Sequence, residues 1–140
     1  MAATNTDSPV LDGIWFRPAL VKPDDATPVT IGINSIPAGA KVAVVSAVTN
    51  NANDWITLPA VAEVPNGHEI IILCSAGGNF ELRTPASSDT KINDVDSDGT
   101  QEYLCTDKDI VRVVKVSNTQ GWIAQSLDYL GAVRTAVVPD

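Results

Sequence analysis

A series of short apolar segments between residues 55 and 128 constrains the fold of this chain more than any other feature. The segments are WITLP, HEIIILCS, FELRTP, QEYLC, IVRVVKVS and GWIAQSLD, and Gly, Pro, Asn or Asp residues separate them. Each is about four to eight residues long and rich in Ile, Val, Leu and aromatic residues, as strands are. The pattern predicts an all-β fold: an antiparallel β-sandwich or jelly-roll-like module of about nine short strands.

Alternation within the predicted strands indicates which side chains face the core. In FELRT, we assign Phe80 and Leu82 to the core face, and Glu81 and Arg83 to the face in contact with water. The preceding segment, HEIIILCS, is the most apolar and is predicted to be a central buried strand. Residues 76–79, with the sequence AGGN, predict a hairpin turn between these two strands.

Two other features of the predicted strands concern single side chains. Arg112 and Lys115 cannot share one face of a regular strand, so IVRVVKVS is predicted to contain a bulge or to bury a basic stem. Trp55 and Trp122 are assigned to the core, which is the commoner place for tryptophan in a β-domain. Trp15 is assigned to a contact made by the N-terminal part of the chain.

The proline distribution divides the chain into an extended N-terminal arm, residues 1–28, and a β-sandwich (jelly-roll-like) domain, residues 29–140. The arm contains four of the nine prolines, and proline at this density disfavours both a helix and a central strand. It also contains one apolar cluster, Ile14, Trp15 and Phe16, which a fully solvated tail does not need. We predict that this cluster binds a partner or a neighbouring copy of the chain.

The charge balance argues against two classes of partner. Nine Lys and Arg residues against seventeen Asp and Glu residues give a formal net charge of −8. The basic residues are scattered singly, so no basic patch is available for the phosphates of a nucleic acid or for an anionic membrane surface. No apolar run approaches the ~20 residues of a membrane-spanning helix. The first thirteen residues lack the basic and apolar regions of a signal peptide, and we expect synthesis in the cytoplasm.

An acidic turn with the sequence DVDSDG is the sharpest local motif. Asp94, Asp96 and Asp98 alternate as they do at the start of a calcium-binding loop, where alternate carboxylates converge on the cation. The twelfth position of such a loop normally carries a bidentate Glu, and here it is Cys105. A metal-free acidic β-turn is therefore the interpretation we favour, with a calcium site as the alternative. We predict no cofactor.

No pattern typical of an enzyme is present. His68 is the only histidine, and it reads as a residue at the edge of a strand. Cys74 lies on the same strand face but about 20 Å away, too far for a catalytic pair. The chain has no nucleophile elbow, phosphate-binding loop or dinucleotide fingerprint. We predict a non-enzymatic protein; a small hydrolase with an unmarked pair of carboxylates is the least favoured interpretation.

The cysteines, Cys74 and Cys105, each lie within a predicted strand. We favour two small buried residues in a reducing compartment, because free cysteine is among the most buried residue types. A disulfide between neighbouring strands is the alternative that the sequence leaves open.

Several stretches between residues 55 and 131 occur in a recognisable order. They are WITLP, PNGHEIIILCSAGG, FELRTPASSDTKIND, the acidic turn with QEYL, and GWIAQSLDYLGAV. In this order they resemble small β-modules of tailed-phage virions. In that group an ITLP…PG opening, a polar hairpin, TPA…KIN and a late GW strand recur in head decoration (cement) and fibre proteins. The resemblance covers a little over half of the chain and excludes the arm.

The resemblance implies a virion structural protein without catalytic residues. Its expected role is that of a capsid decoration (cement) protein, made in the host cytoplasm, which binds the outer surface of a phage head and stabilises it. The implied partners are the major capsid protein and further copies of the chain in a homotrimer. Ile14, Trp15 and Phe16 are then the predicted anchors. The alternative is a tail-fibre or spike module that recognises host-surface glycans.

Overall fold

The computed structural model describes residues 19–21, 24–25, 34–45, 54–74, 77–85, 91–93 and 102–135. Regular structure in these ranges is almost entirely strand, with one 3₁₀ turn at Val61–Glu63. The strands are β1 (Ala19–Val21), β2 (Asp24–Asp25), β3 (Val42–Val45), β4 (Asp54–Thr57), β5 (Glu69–Cys74), β6 (Phe80–Arg83), β7 (Glu102–Cys105), β8 (Ile110–Ser117), β9 (Gly121–Leu127) and β10 (Val133–Arg134).

The described strands form two sheets that share one core. The larger sheet has the order β1-β3-β5-β8-β9-β10, and the smaller sheet has the order β2-β4-β6-β7. Apolar side chains from both sheets form a single buried cluster. Its fully buried members include Ile70, Ile72, Val111, Val113 and Trp122 of the larger sheet and Ile56, Phe80 and Leu82 of the smaller sheet. The arrangement confirms the predicted all-β sandwich.

The sheets are mixed, whereas the sequence pattern predicted an antiparallel module. The pairs β1–β3, β3–β5 and β4–β6 are parallel, and the pairs β5–β8, β6–β7 and β8–β9 are antiparallel. The connectivity explains the difference, because the chain alternates between the sheets from β3 to β6. A strand that is reached by leaving a sheet and returning to it can run parallel to its neighbour, which a tight hairpin does not allow.

The hairpin turn predicted at residues 76–79 is wrong, because β5 and β6 belong to different sheets. The chain crosses from one layer to the other at this point. The turn at residues 118–120 does join antiparallel neighbours, β8 and β9. Gly and Asn allow a sharp reversal in either setting, so the local sequence does not distinguish a hairpin from a crossing between sheets.

The end of the predicted arm contributes to both sheets. β1 pairs in parallel with β3, which places Ala19 beside Ala43, and β2 pairs with β4 in the antiparallel sense. Ala19 also packs against the buried cluster. The C-terminal part of residues 1–28 therefore supplies a terminal strand to each of the described sheets.

The end of β8 is irregular, as its two basic residues predicted. Its register with β9 shifts between Lys115 and Ser117. Arg112 is exposed and pairs with Glu69, whereas Lys115 is buried and its ammonium group donates a hydrogen bond to the carbonyl oxygen of Val64 at 2.6 Å. The hydrogen bond to Val64 stabilises the buried ammonium group, because a buried charge without a partner is strongly unfavourable.

A short segment, residues 91–93, pairs with the beginning of β9 on the side away from β8. The amide of Trp122 donates to the carbonyl oxygen of Lys91, and the amide of Asn93 donates to that of Trp122, both at 2.9 Å. The Asn93 side chain continues the pairing, because its amide donates to the Ala124 carbonyl at 3.0 Å and its oxygen accepts from the Ala124 amide at 2.8 Å. We call this contact the β9 joint.

An ion pair between a buried carboxylate and a half-buried guanidinium holds β10 at the other end of β9. The side chain of Asp109 is fully buried, and its two oxygens accept hydrogen bonds from the Arg134 guanidinium at 2.5 and 2.9 Å. Paired hydrogen bonds of this kind fix the orientation of both groups. The contact secures a strand of only two residues, Val133–Arg134, to the loop before β8.

Candidate functional site

The side chains that the sequence analysis proposed as binding sites lie outside the described residues. They are Ile14, Trp15 and Phe16 of the arm and Asp94, Asp96 and Asp98 of the acidic turn. Both the anchor and the calcium alternative therefore stay predictions. Among the residues that are described, no three His, Cys, Asp or Glu side chains lie together as metal ligands could.

The carboxylates of Glu69 and Glu81 are not arranged as a catalytic pair. Glu69 lies on the outer face of the larger sheet and pairs with Arg112 there. Glu81 alternates with Phe80 and Leu82, which face the core, so it lies on the outer face of the smaller sheet. A glycosidase needs two carboxyl groups that face one cleft, and these two lie on opposite surfaces of the sandwich.

The assignment of Glu81 and Arg83 to a face in contact with water is wrong for Glu81. The residue is only 4% exposed, and its carboxylate accepts a hydrogen bond from Nε of Arg83 at 2.8 Å. The Arg83 guanidinium lies 4.8 Å from the centre of the Trp55 ring, a cation–π distance. Trp55 is thus a partly buried cover over an ion pair and not a core residue, whereas Trp122 is in the core as predicted.

His68 lies directly before the first residue of β5, at the edge of the strand as the sequence predicts, and its side chain is buried. It is 5% exposed, its Nε2–H donates to the Ala40 carbonyl at 3.0 Å, and its Nδ1 accepts from the Lys41 ammonium at 3.0 Å. Burial and the charge of Lys41 lower the pKa of His68 below 6.5, against the opposing effect of the bond to Ala40. These contacts hold the imidazole neutral and leave neither nitrogen available for catalysis.

We expect the stability of the protein to fall as the pH drops below about 6.5 because of His68. In that range the unfolded chain takes up a proton on this histidine, while the folded chain takes it up only at the lowered pKa. The favourable contribution is therefore complete above the unfolded pKa and is lost as the pH falls through the folded one. Urea unfolding between about pH 8 and about pH 5 measures it.

A His68→Gln variant is the control for the pH dependence. Glutamine can still donate to the Ala40 carbonyl but does not titrate, so its unfolding free energy should change less with pH over this range. Identical pH profiles for the wild type and the variant would contradict the assigned role.

The outer face of the larger sheet carries a row of apolar side chains that crosses five strands. The strand register places Val44, Leu73, Ile110, Leu127 and Val133 side by side. Ile110 is 45% exposed, Leu127 38% and Val133 64%, while Val44 and Leu73 are half-buried. We call these five side chains the apolar row.

Further exposed apolar side chains lie next to the apolar row. Ile123, on the same face of β9 as Leu127, is 55% exposed, and the turn after β9 presents Tyr129 at 72% and Leu130 at 78%. The Asp128 carboxylate holds this turn, because it accepts hydrogen bonds from the amides of Leu130 and Ala132, both at 2.9 Å. A hydrogen-bonded turn thus presents two large side chains to solvent.

The outer face of the larger sheet is close to electrically neutral. At the strand positions that the structure describes on this face, the charged side chains are Arg112 and Glu69, and Arg112 Nε donates to the Glu69 carboxylate at 2.6 Å. The whole chain carries a net charge of −8. The face that exposes apolar side chains therefore does not share the acidic character of the chain, and such a face is typical of a protein–protein contact.

The sequence of β5 already indicates this face, because the strand is apolar on both of its sides. The apolar run HEIIILCS predicts a central buried strand. In the structure Ile70 and Ile72 are fully buried, but Ile71 and Leu73, which point the other way, are only half-buried. A strand that is apolar on both faces indicates either a covering layer or an exposed apolar surface, and only the structure distinguishes them.

A surface cavity of about 410 Å³ lies beside the β9 joint. The described residues that line it are Asn93, Val116, Gln120, Trp122 and Ile123. These lining residues include no acid, base or nucleophile. The indole N–H of Trp122 has no hydrogen-bond partner, but its nitrogen is itself buried and is not offered to a ligand in the cavity.

The described part of the chain thus defines a β-sandwich with a neutral, apolar outer face on its larger sheet. No helix in this part is long and apolar enough to cross a membrane. No protein-family model, curated protein or solved structure matches the chain.

Proposed function

We propose that this protein is a virion structural protein, a capsid decoration (cement) protein that binds the outer surface of a phage head and stabilises it. The observation that carries the proposal is the apolar face of the larger sheet, centred on the apolar row. The resemblance of residues 55–131 to head decoration modules supports the virion context. The major capsid protein is the proposed partner.

The exposure of the apolar face supports a lasting contact with another protein. Soluble monomers rarely expose large contiguous apolar patches, and such patches commonly mark interaction sites. Full burial of one Val, Leu or Ile side chain contributes about 1.5–3 kcal/mol. A copy that covers several of these side chains against the shell gains affinity, and binding to the assembled shell alone stabilises the shell by mass action.

The arm is the second proposed contact. Ile14, Trp15 and Phe16 stay the predicted anchors to the shell or to a neighbouring copy in a homotrimer. A decoration protein in a trimer needs one surface for its copies and another for the shell. We assign the apolar face of the larger sheet to the contact with the shell. The arm is assigned either to that contact or to the contact between copies of the chain.

Binding to phage heads tests the proposal. We expect the double substitution Ile123→Thr and Leu127→Thr to weaken binding about tenfold or more, because both exposed side chains lose their apolar contact with the shell. Threonine keeps the preference for a strand. The measurement is co-sedimentation of purified protein, over a range of concentrations, with heads prepared without it.

Gln125→Thr is the matched control, because Gln125 lies on the same face of β9 between the two substituted positions. It should bind heads as the wild type does. If the double variant binds equally well, the apolar face is not the contact with the shell. If the wild type does not bind heads at all, the decoration function is wrong.

A tail-fibre or spike module that binds host-surface glycans is the second candidate. Tyr129 favours it, because this aromatic ring is 72% exposed on the turn between β9 and β10, and exposed aromatic faces stack on sugars. Binding of the isolated protein to host cells, lost in Tyr129→Ala but not in the Ile123→Thr, Leu127→Thr variant, would favour this candidate over the first.

A further inference from the structure

The two cysteines lie on different sheets, and their side chains meet in the core. Cys74 ends β5 of the larger sheet, and Cys105 ends β7 of the smaller sheet. They are 2% and 0% exposed, and both are free thiols. Cys74 follows Ile70 and Ile72 in the inward-facing alternation of β5, and Cys105 follows Tyr103 in that of β7.

Backbone hydrogen bonds hold the two cysteines at the same end of the sandwich. The chain leaves Cys105 and turns back directly onto Cys74: the Lys108 amide donates to the Cys74 carbonyl at 2.6 Å, and the Cys74 amide donates to the Asp109 carbonyl at 3.0 Å. Cys105 precedes these two partners by only three and four positions. The two thiols also affect each other electrostatically, because the neighbouring Cys74 helps to raise the pKa of the Cys105 thiol.

A second set of hydrogen bonds ties together two of the connections that cross between the sheets, β5–β6 and β7–β8. The Gly77 amide donates to the Asp107 carboxylate at 2.9 Å, and the Asp107 amide donates to the Asn79 side-chain oxygen at 3.1 Å. Gly77 and Asn79 lie between β5 and β6, whereas Asp107 lies between β7 and β8. Hydrogen bonds from the loops next to both cysteines therefore hold the ends of β5 and β7 together.

We propose that Cys74 and Cys105 are a latent inter-sheet disulfide, which forms when the chain folds in the presence of a small-molecule disulfide such as oxidised glutathione. The inference does not depend on the function proposed above. It also changes the pairing that the sequence left open, because the two strands are not neighbours in one sheet but face each other across the core.

The reaction is balanced as two thiol–disulfide exchanges. One cysteine thiolate attacks a sulfur of oxidised glutathione, which forms a mixed disulfide and releases one glutathione. The other cysteine thiolate attacks the protein sulfur of that mixed disulfide, which forms the Cys74–Cys105 bond and releases the second glutathione. The two protein thiols lose two electrons, oxidised glutathione gains them, and the two protons go to the released glutathione thiolates.

The burial of the thiols decides when the reaction proceeds. Burial, followed by the contact with Cys74, raises the pKa of the Cys105 thiol well above its ordinary value, so little thiolate is present in the folded chain. Oxidised glutathione also cannot reach a sulfur that the core covers. We therefore expect slow oxidation of the folded, reduced protein and efficient oxidation of a chain that refolds in the same buffer.

Mass spectrometry of the full chain tests the proposal. Reduced protein is refolded from urea in a mixture of reduced and oxidised glutathione, and free thiols are then alkylated under denaturing conditions. We expect a monomer that is lighter than the reduced chain by two hydrogen atoms, carries no alkyl group, and yields a Cys74–Cys105 linked peptide after proteolysis. Its urea midpoint should fall when a reductant is added, because the bond restricts the unfolded chain.

Three products of the refolding experiment would contradict the proposed disulfide. Two alkylated thiols, two glutathione adducts, or a dimer linked between chains as the main product would overturn the proposal. Cys74→Ala and Cys105→Ala, one at a time, are the controls, and neither should show a reductant-dependent urea midpoint. Should a variant not fold, the linked peptide from the wild type decides the question without it.

Discussion

Replacing Gly121 by alanine is expected to lower the free energy of unfolding by about 3 kcal/mol. Gly121 has a φ of +77°, a left-handed conformation in which a side chain costs roughly 1–2 kcal/mol. A Cβ atom there would also lie 2.8 Å from the amide nitrogen of Lys91 and closer still to its carbonyl oxygen. That carbonyl accepts the hydrogen bond from Trp122, so making room for a methyl group disrupts the β9 joint.

Gly131→Ala is the matched control for the steric part of this effect. Gly131 has a φ of +84°, but a Cβ atom at this position meets nothing within 4 Å. We expect a loss of about 1 kcal/mol, from the backbone conformation alone. Urea unfolding followed by circular dichroism measures both variants, and equal losses would contradict the argument that the Lys91 backbone excludes a side chain from position 121.

Replacing Trp122 by alanine is expected to cost about 4 kcal/mol of stability. Trp122 is the largest of the fully buried side chains in the described core and is 0% exposed. Removal of its ring leaves a void that the surrounding sheets cannot fill without moving, and protein interiors are packed too tightly for a cheap rearrangement. Circular dichroism is again the appropriate probe, because the substitution also removes a fluorophore.

Trp122→Phe separates packing from hydrogen bonding at this position. A phenyl ring keeps part of the contact area and removes an indole N–H that has no partner, so the loss should be well below that of alanine. Ile123→Ala is the surface control, since Ile123 is 55% exposed and should change stability by less than about 1 kcal/mol. If phenylalanine is as damaging as alanine, packing of the ring is not the main contribution.

The two substitutions act on the same part of the fold for a structural reason. Residues 91–93 belong to the connection between β6 and β7 of the smaller sheet, yet they pair with β9 of the larger sheet. The β9 joint therefore fastens one layer of the sandwich to the other through backbone hydrogen bonds. Gly121 allows the close approach of the two segments, and Trp122 fills the core beneath them.

Sequence alone was sufficient for features that depend on neighbouring positions in the chain. Segment length and β-branched content predicted the all-β class. The positions of Arg112 and Lys115 predicted the irregularity of β8, and the apolar alternation placed Phe80 and Leu82 in the core. Each inference uses residues within one strand or turn, where the period of two and the turn chemistry apply directly.

The apolar row could not be predicted from the sequence, because its side chains come from different strands. Ile110, Leu127 and Val133 come from three strands, and only the register between those strands places them in one row. The burial of Glu81 was equally hard to predict. The sequence around Glu81 is that of an ordinary outward-facing strand position, and only the pairing with β4 places Trp55 beside it.

The amino-acid sequence by itself determined the class of fold, most of the strands and the inward-facing residues of β6. Only the tertiary structure decided which sheet each strand joins, which pairs run parallel, and that Cys74 meets Cys105. The sequence of a strand shows which of its faces is apolar. Which strand it pairs with depends on contacts between residues far apart in the chain. Those contacts form together, when both sheets close over a common core, and no single segment encodes them.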